Sequence, residues 1–318
     1  MRAIKDAKRL FLGLSHSPLI GLNAVSAELE IELAQVLQEV QNLVREFSPE
    51  RILLVGPDHY NGFFNELMPP FCIGSQAEAV GDYETPAGVL NVPEEEAVEL
   101  VRALMDADFD VALSRRMLVD HGFSQALQFL WDGLDTPPVI PLFVNAVAQP
   151  GIPRVRRCIQ LGRQIGAYLS TLPGKTLVLG SGGLSHEPPV PTLSHFDPEV
   201  REKITARQSW TPEEREAKTA RVKQAGLDLA ARMPHIKPLN PQWDLQWMDA
   251  IEKGNLDALA ALSEDSIEKE AGLSAHESKT WVVARAALST DQITSTHLRY
   301  YREIPEYIAG YGALMLSV

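Results

Sequence analysis

Cysteine is scarce: Cys72 and Cys158 are the only two in 318 residues, and neither has metal-binding spacing around it. Both are expected as buried, reduced thiols, which suits a reducing cytoplasm. No apolar stretch approaches the roughly 20 residues of a membrane-spanning helix. Met1 to Arg9 leads into only a short apolar run with a histidine behind it, so no signal peptide is expected either. Gly/Ser linkers, low-complexity tracts and internal repeats are also missing; length alone allows about two domains, yet a single domain over residues 1–318 is the expectation. Positive charge is in deficit, with 29 Lys and Arg against 42 Asp and Glu and a formal net charge of −13. That balance argues against a nucleic-acid surface. An anionic substrate stays open, because local cationic groups outweigh a distant field.

What remains, 45% hydrophobic and 22% charged, is the composition of an ordinary globular protein. Its organising feature is a short apolar run that stops at a histidine-bearing loop. Leu53 to Val55 halts at Gly56-Pro57-Asp58-His59, Leu10 to Leu14 halts at Ser15-His16-Ser17-Pro18, and Thr176 to Leu179 halts at Gly180-Ser181-Gly182-Gly183-Leu184-Ser185-His186. Such runs read as buried strands. In one mostly parallel sheet their carboxyl ends share an edge, where open α/β sheets build their sites.

Between them, Ser26 to Phe47 has helical apolar spacing, so the strands at Leu10 and Ile52 are expected as parallel neighbours joined by a crossover. Asn61 to Tyr83 reads as irregular, Pro93 opens a helix, and Phe109 to Leu113 and Val139 to Val144 read as further strands. Ile152 to Leu172 is a long helix. After Asp197 the chain reads as charged, exposed helices, a pair of short helices over Asp244 to Leu262, a helix over Leu273 to Leu288, and closing strands at Thr296 to Ile304 and Tyr311 to Ser317. The fold class is therefore α/β, a mostly parallel or mixed central sheet flanked by helices with a largely helical C-terminal half.

Four histidines, His16, His59, His121 and His186, lie in motifs rich in Asp, Ser or Gly. Any one alone reads as a hydrogen-bonded loop residue. Together they point to a clustered site using imidazole for metal binding or acid-base work. His195, His235 and His297 have no such context. Glu277 shares a helical face with Trp281, Ala284 and Leu288, and a buried carboxylate needs a partner. A metal ion is one candidate; a Ser274-x-x-Glu277 capping box is the other. Two imidazoles and a carboxylate without cysteine suit non-haem Fe(II), though zinc and manganese accept similar donors. The Gly180 to Gly183 run lacks the lysine of a phosphate loop, so its glycines are expected to turn the backbone sharply and bring His186 to the site.

These blocks, with Met68-Pro69-Pro70-Phe71, Val119-Asp120-His121-Gly122-Phe123, Pro238-Leu239-Asn240-Pro241 and His276-Glu277-Ser278-Lys279-Thr280-Trp281, resemble the class III extradiol ring-cleaving dioxygenases over nearly the whole chain. The resemblance implies Fe(II) held by His16, His59 and Glu277, with His121 as proton donor and His186 as acceptor. It further implies a 2,3-dihydroxyphenyl acid and dioxygen as substrates, in a cytoplasmic homo-oligomer of aromatic catabolism. Asp58 and Asp120, each just before a key histidine, either orient imidazoles or cap turns. Met1 to Arg9 lies outside the matched blocks and receives no role. Two other readings stay open: a zinc hydrolase or lyase on the same scaffold, and a non-catalytic binding protein.

Overall fold

The structure, a computed structural model, describes residues 4–207, 210–288 and 295–318. Its elements run β1 (Arg9–Leu14), α1 (Ala27–Phe47), β2 (Arg51–Gly56), β3 (Phe71–Gly74), β4 (Ala77–Val80), β5 (Ala87–Val89), α2 (Glu94–Asp106), β6 (Ala112–Ser114), β7 (Met117–Val119), α3 (His121–Trp131), β8 (Val139–Val144), α4 (Val155–Thr171) and β9 (Thr176–Ser181). The later part holds α5 (Pro198–Thr205), α6 (Pro212–Ala230), α7 (Pro241–Lys253), α8 (Leu256–Ala260), α9 (Glu264–Ala271), a 3-10 turn at Leu273–Ser278, α10 (Lys279–Ala287), β10 (Ser295–Ile304) and β11 (Ala309–Ser317). This is the expected α/β architecture with a helix-rich C-terminal half.

Among the described residues an eight-stranded mixed sheet has the order β10-β11-β1-β9-β2-β8-β3-β6. Its centre, β1-β9-β2-β8, is parallel, and antiparallel pairs join β11 to β1 and β3 to β8. The parallel strands are nearly continuous apolar runs, as strands covered on both faces must be. Alternate residues feed two cores. Leu10, Leu12, Leu14, Ile52 and Leu54 pack in the layer that includes α1 and α3, whereas Phe11, Leu53, Val55 and Val178 pack in the layer that includes α4 and α10.

Several expectations are corrected. The strands at Leu10 and Ile52 are not neighbours, because β9 lies between them and pairs with both. The segment from Asn61 to Tyr83 is not wholly irregular: β3 joins the main sheet, and β4 belongs to a three-stranded sheet in the order β5-β4-β7. The strand expected over Phe109 to Leu113 begins only at Ala112. Leu273 to Leu288 is not one α-helix, since its first six residues form the 3-10 turn. Residues 1–3 lie outside the described residues, but Ile4 and Ala7 are buried in the core and Arg9 opens β1, donating a hydrogen bond to the Ala287 carbonyl. Residues 4–9 are thus packed against the fold and have a structural role that the sequence did not suggest.

α10 is the element that fixes the site from behind. Every residue from Lys279 to Leu288 is buried. Its approach depends on missing side chains: a Cβ on Gly13 would lie 2.5 Å from the Trp281 ring, and one on Gly162 would lie 2.4 Å from the Val283 carbonyl oxygen. The absence of a Cβ lets backbone and ring come this near.

Candidate functional site

The three histidine-bearing strands are adjacent, β1-β9-β2, and parallel, so their carboxyl ends open on one edge. His16 follows β1, His59 follows β2 and His186 follows β9. His121 comes from another direction as the first residue of α3, behind the N-cap Asp120. Glu277 enters on the 3-10 turn ahead of α10. Gln125 of α3 ties the His16 loop in place, accepting from Ser17 N at 2.9 Å and donating to its carbonyl at 2.9 Å.

All five side chains are buried or nearly so, and they meet. Glu277 Oε2 lies 3.3 Å from His16 Nε2, and Oε1 lies 3.1 Å from both His59 Nε2 and His186 Nε2. The Gly183 N–H donates to Oε2 at 3.1 Å. The 3-10 turn takes Gly272, not Ser274, as its N-cap, so no Ser274–Glu277 capping box forms among the described residues. Gly180, Gly182 and Gly183 take no left-handed conformation. They serve close approach rather than a sharp turn: a Cβ on Gly182 would stand 2.4 Å from the Glu277 carbonyl oxygen.

Each imidazole has its Nδ1 engaged elsewhere. His16 Nδ1 meets Ser181 Oγ at 3.0 Å, His59 Nδ1 meets Asp120 Oδ2 at 3.1 Å, His121 Nδ1 meets Asp82 Oδ2 at 2.6 Å, and His186 Nδ1 meets the Leu184 carbonyl at 2.9 Å. Nε2 is then the atom each ring can present to the site. A fixed partner on the far nitrogen is how proteins set the tautomer and aim of a metal-binding or catalytic histidine.

The two expected roles, orienting imidazoles and capping turns, are divided between the aspartates. Asp58 touches no imidazole; it braces its loop by accepting from the N–H groups of Asn61, Gly62 and Phe63, and burial and then Asp120 push its carboxyl up to about 7. Asp120 caps α3 through Gly122 N and orients His59, which is not its chain neighbour. The partner of His121 is Asp82, which accepts from both its ring and its backbone N–H, at 2.6 and 2.8 Å. No motif flagged Asp82, and only its position at the end of the segment read as irregular hinted at it.

Electrostatically the cluster is a buried anion surrounded by imidazoles. Burial favours a neutral Glu277, but His186, His16 and His59 outweigh it and hold the carboxyl well below its ordinary range. Burial works against charge on His59 and His186 too, yet Asp120 and Glu277 raise the first and Glu277 raises the second. His16 goes the other way, pulled down to about 3 because burial exceeds the attraction of Glu277. Protons on imidazoles therefore balance the carboxylate, and a divalent cation can replace them, as metal binding generally displaces ligand protons. The donor set of neutral imidazole and carboxylate fits such an ion. Ligand atoms of His16, His59 and His121 lie within 4.8 Å of one another, and those of Asp82, Asp120 and His121 do so as well. Geometry alone admits His121 and His186 near an ion. His121 differs from the other three histidines in having neither a hydrogen bond nor an ion pair with Glu277 among the described residues.

The cluster lies in a cleft of about 810 Å³ counted to its open mouth, walled by Leu19, Tyr83, Pro188, Pro189, Trp210 and Ile308 among others. His195, His235 and His297 lie outside it, and Cys72 and Cys158 are buried and unpaired. Among the described residues no helix is long and apolar enough to cross a membrane.

Comparison with known proteins gives the family. The family described as the catalytic LigB subunit of aromatic ring-opening dioxygenase matches residues 10–312. A Comamonas testosteroni 2,3-dihydroxyphenylpropionate/2,3-dihydroxicinnamic acid 1,2-dioxygenase is 62% identical over 315 residues, covering 99% of this chain and 98% of that protein. Proteins of the same name from Escherichia coli O139:H28 and Mycobacterium ulcerans are 45% and 44% identical, covering 95% and 94% of this chain and 96% and 95% of their own. The crystal structure of an uncharacterised Escherichia coli K12 protein shares the fold, with a TM-score of 0.50 at 15% identity over 97% of this chain and 99% of that one. Neither a zinc hydrolase or lyase nor a non-catalytic binder is favoured by these relatives. The chain belongs to the LigB family of class III extradiol dioxygenases, and it is a ring-cleaving, metal-requiring oxidoreductase.

Proposed function

We propose that this protein cleaves 2,3-dihydroxyphenylpropionate or 2,3-dihydroxycinnamate beside one hydroxyl, using dioxygen and Fe(II) held by His16, His59 and Glu277. The observation that carries the reading is the meeting of two imidazole Nε2 atoms and one buried carboxylate at 3.1 to 3.3 Å, with two further imidazoles alongside. The names of the relatives in Comamonas testosteroni and Escherichia coli support the substrate class. Bound there, Fe(II) supplies one centre for both reactants and a path for electrons from the electron-rich ring to oxygen.

The chain's own residues then handle protons and position. His186, with Nδ1 donated to the Leu184 carbonyl, offers Nε2 as acceptor for a catechol proton. His121, with Nδ1 donated to Asp82, is the proton donor as the ring opens. It stacks on His59 with ring centroids 4.3 Å apart, which keeps donor and metal ligands in one assembly. The apolar cleft walls exclude water from the reacting ring. The product is a ring-opened dienoate that carries both oxygen atoms.

The activity belongs to the chain as a single catalytic domain, in a cytoplasmic homo-oligomer. Anaerobically prepared Fe(II) protein is expected to consume one O₂ per catechol and form a visible-absorbing product, while zinc-loaded protein stays inactive. Absence of oxygen uptake with every 2,3-dihydroxyphenyl acid refutes the reading.

A further inference from the structure

The proposed substrates carry a carboxylate, and the metal-site residues offer it no cation. Among the described residues lining the cleft the only Lys and Arg are Lys218 and Arg221, three positions apart on α6. Residues so spaced share one helix face. Lys218 is half-buried, its Nζ donating to the His59 carbonyl at 3.0 Å and lying 5.4 Å from the centre of the Trp210 ring. Among the described residues no carboxylate pairs with it. Asp82, Asp120 and Asp58 attract it only from beyond ion-pair distance, so a partly desolvated ammonium holding one carbonyl is incompletely matched.

Arg221 lies at the exposed rim of the same cleft. It has neither a hydrogen bond nor an ion pair among the described residues, although acidic residues outnumber basic ones in the chain. Trp210 fixes the base of this arrangement by donating its ring N–H to the Tyr60 carbonyl at 2.8 Å. Lys218 is thus anchored to the backbone of the same residue, His59, whose ring faces the site. A ligand that reaches the imidazoles with its hydroxyls has an ammonium beside it and a guanidinium further out.

We infer that Lys218 and Arg221 form the subsite for the substrate's side-chain carboxylate and so set the preference of the enzyme for acidic over uncharged catechols. The inference rests on the catechol reading given above. The anion enters with its ring plane between the proline wall, Pro188 to Pro191, and Leu19 and Ile308, and its carboxylate completes Lys218 while Arg221 closes over it. With an overall charge of −13, the long-range field repels such a substrate, so selection for it must be local.

The test is the ratio of kcat/KM for 2,3-dihydroxyphenylpropionate to kcat/KM for 3-methylcatechol, measured by oxygen uptake with the Fe(II) enzyme. Arg221→Gln and Lys218→Gln are each expected to lower that ratio about tenfold or more, because a site built for a charged group loses heavily when the match is broken. The loss should appear in KM for the acid, and the inhibition constant of 3-phenylpropionate should weaken in parallel. Arg221 is exposed, so its variant tests the idea even if Lys218→Gln folds poorly. Arg221→Glu should lower the ratio further. A ratio within twofold of wild type in both glutamine variants overturns the subsite while leaving the ring-cleavage reading intact. Failure of the wild type to take up oxygen with either compound overturns that reading and the subsite with it.

Discussion

The sharpest perturbation is Asp82→Asn. Asp82 gives one carboxylate oxygen to the His121 backbone N–H at 2.8 Å and the other to His121 Nδ1 at 2.6 Å. Asparagine has only one oxygen. The backbone N–H can act only as a donor, so it claims that oxygen, and the new amino group is left facing Nδ1. The neutral ring answers by keeping its proton on Nε2. A ring carrying both protons then sets donor against donor, and the charge-assisted bond it had to Asp82, about 1.5–3 kcal/mol, is gone. If His121 must be doubly protonated in order to donate, kcat falls by about 10- to 150-fold at ~1.4 kcal/mol per decade. Metal content should not change, because Asp82 contacts none of His16, His59 or Glu277. The assay is kcat by oxygen uptake at saturating catechol, paired with iron content by mass spectrometry. A kcat within twofold of wild type at full iron refutes donation from a doubly protonated His121. Loss of iron together with activity would make His121 a ligand instead.

Two further outcomes follow from the same geometry. Alanine at His16, His59 or Glu277 should lose iron as well as activity, whereas His121→Ala and His186→Ala should keep the metal and lose turnover; full iron occupancy in Glu277→Ala would mean that another carboxylate holds it. Gly182→Ala should destabilise the protein by about 1–3 kcal/mol in chemical denaturation, since its Cβ would stand 2.4 Å from the Glu277 carbonyl oxygen and 2.8 Å from Thr280 Oγ1. Unchanged stability there would show that the 3-10 turn shifts without strain.

Much of this was legible in the chain because the relevant physics is local. Apolar runs marked β1, β2, β8 and β9, three of them ending in a histidine-bearing loop, and helical spacing marked α1 and α4, since burial imposes those periods on the sequence directly. The histidines stood out for the same reason, each placed just beyond an element with a clear signal. Glu277 was ambiguous because a helix-start carboxylate looks the same whether it caps or binds. In the fold it meets the Gly183 N–H and three imidazoles, and these lie about 90 to 260 positions away in sequence.

Only the tertiary structure determined the rest. That β9 inserts between β1 and β2 is a choice among pairings of similar apolar strands, which no one strand's sequence determines. Strands as short as β3, β4 and β5 have too few residues to show a period and exist because their partners do. The roles of the aspartates were hidden for a related reason: Asp120 serves His59 across 61 positions and Asp82 serves His121 across 39, while Asp58, beside a histidine in sequence, serves its own loop. Side-chain chemistry is written residue by residue, so the sequence alone named the imidazoles and the carboxylate. Which atoms face one another depends on chain segments far apart in sequence, and the folded sheet edge alone sets that.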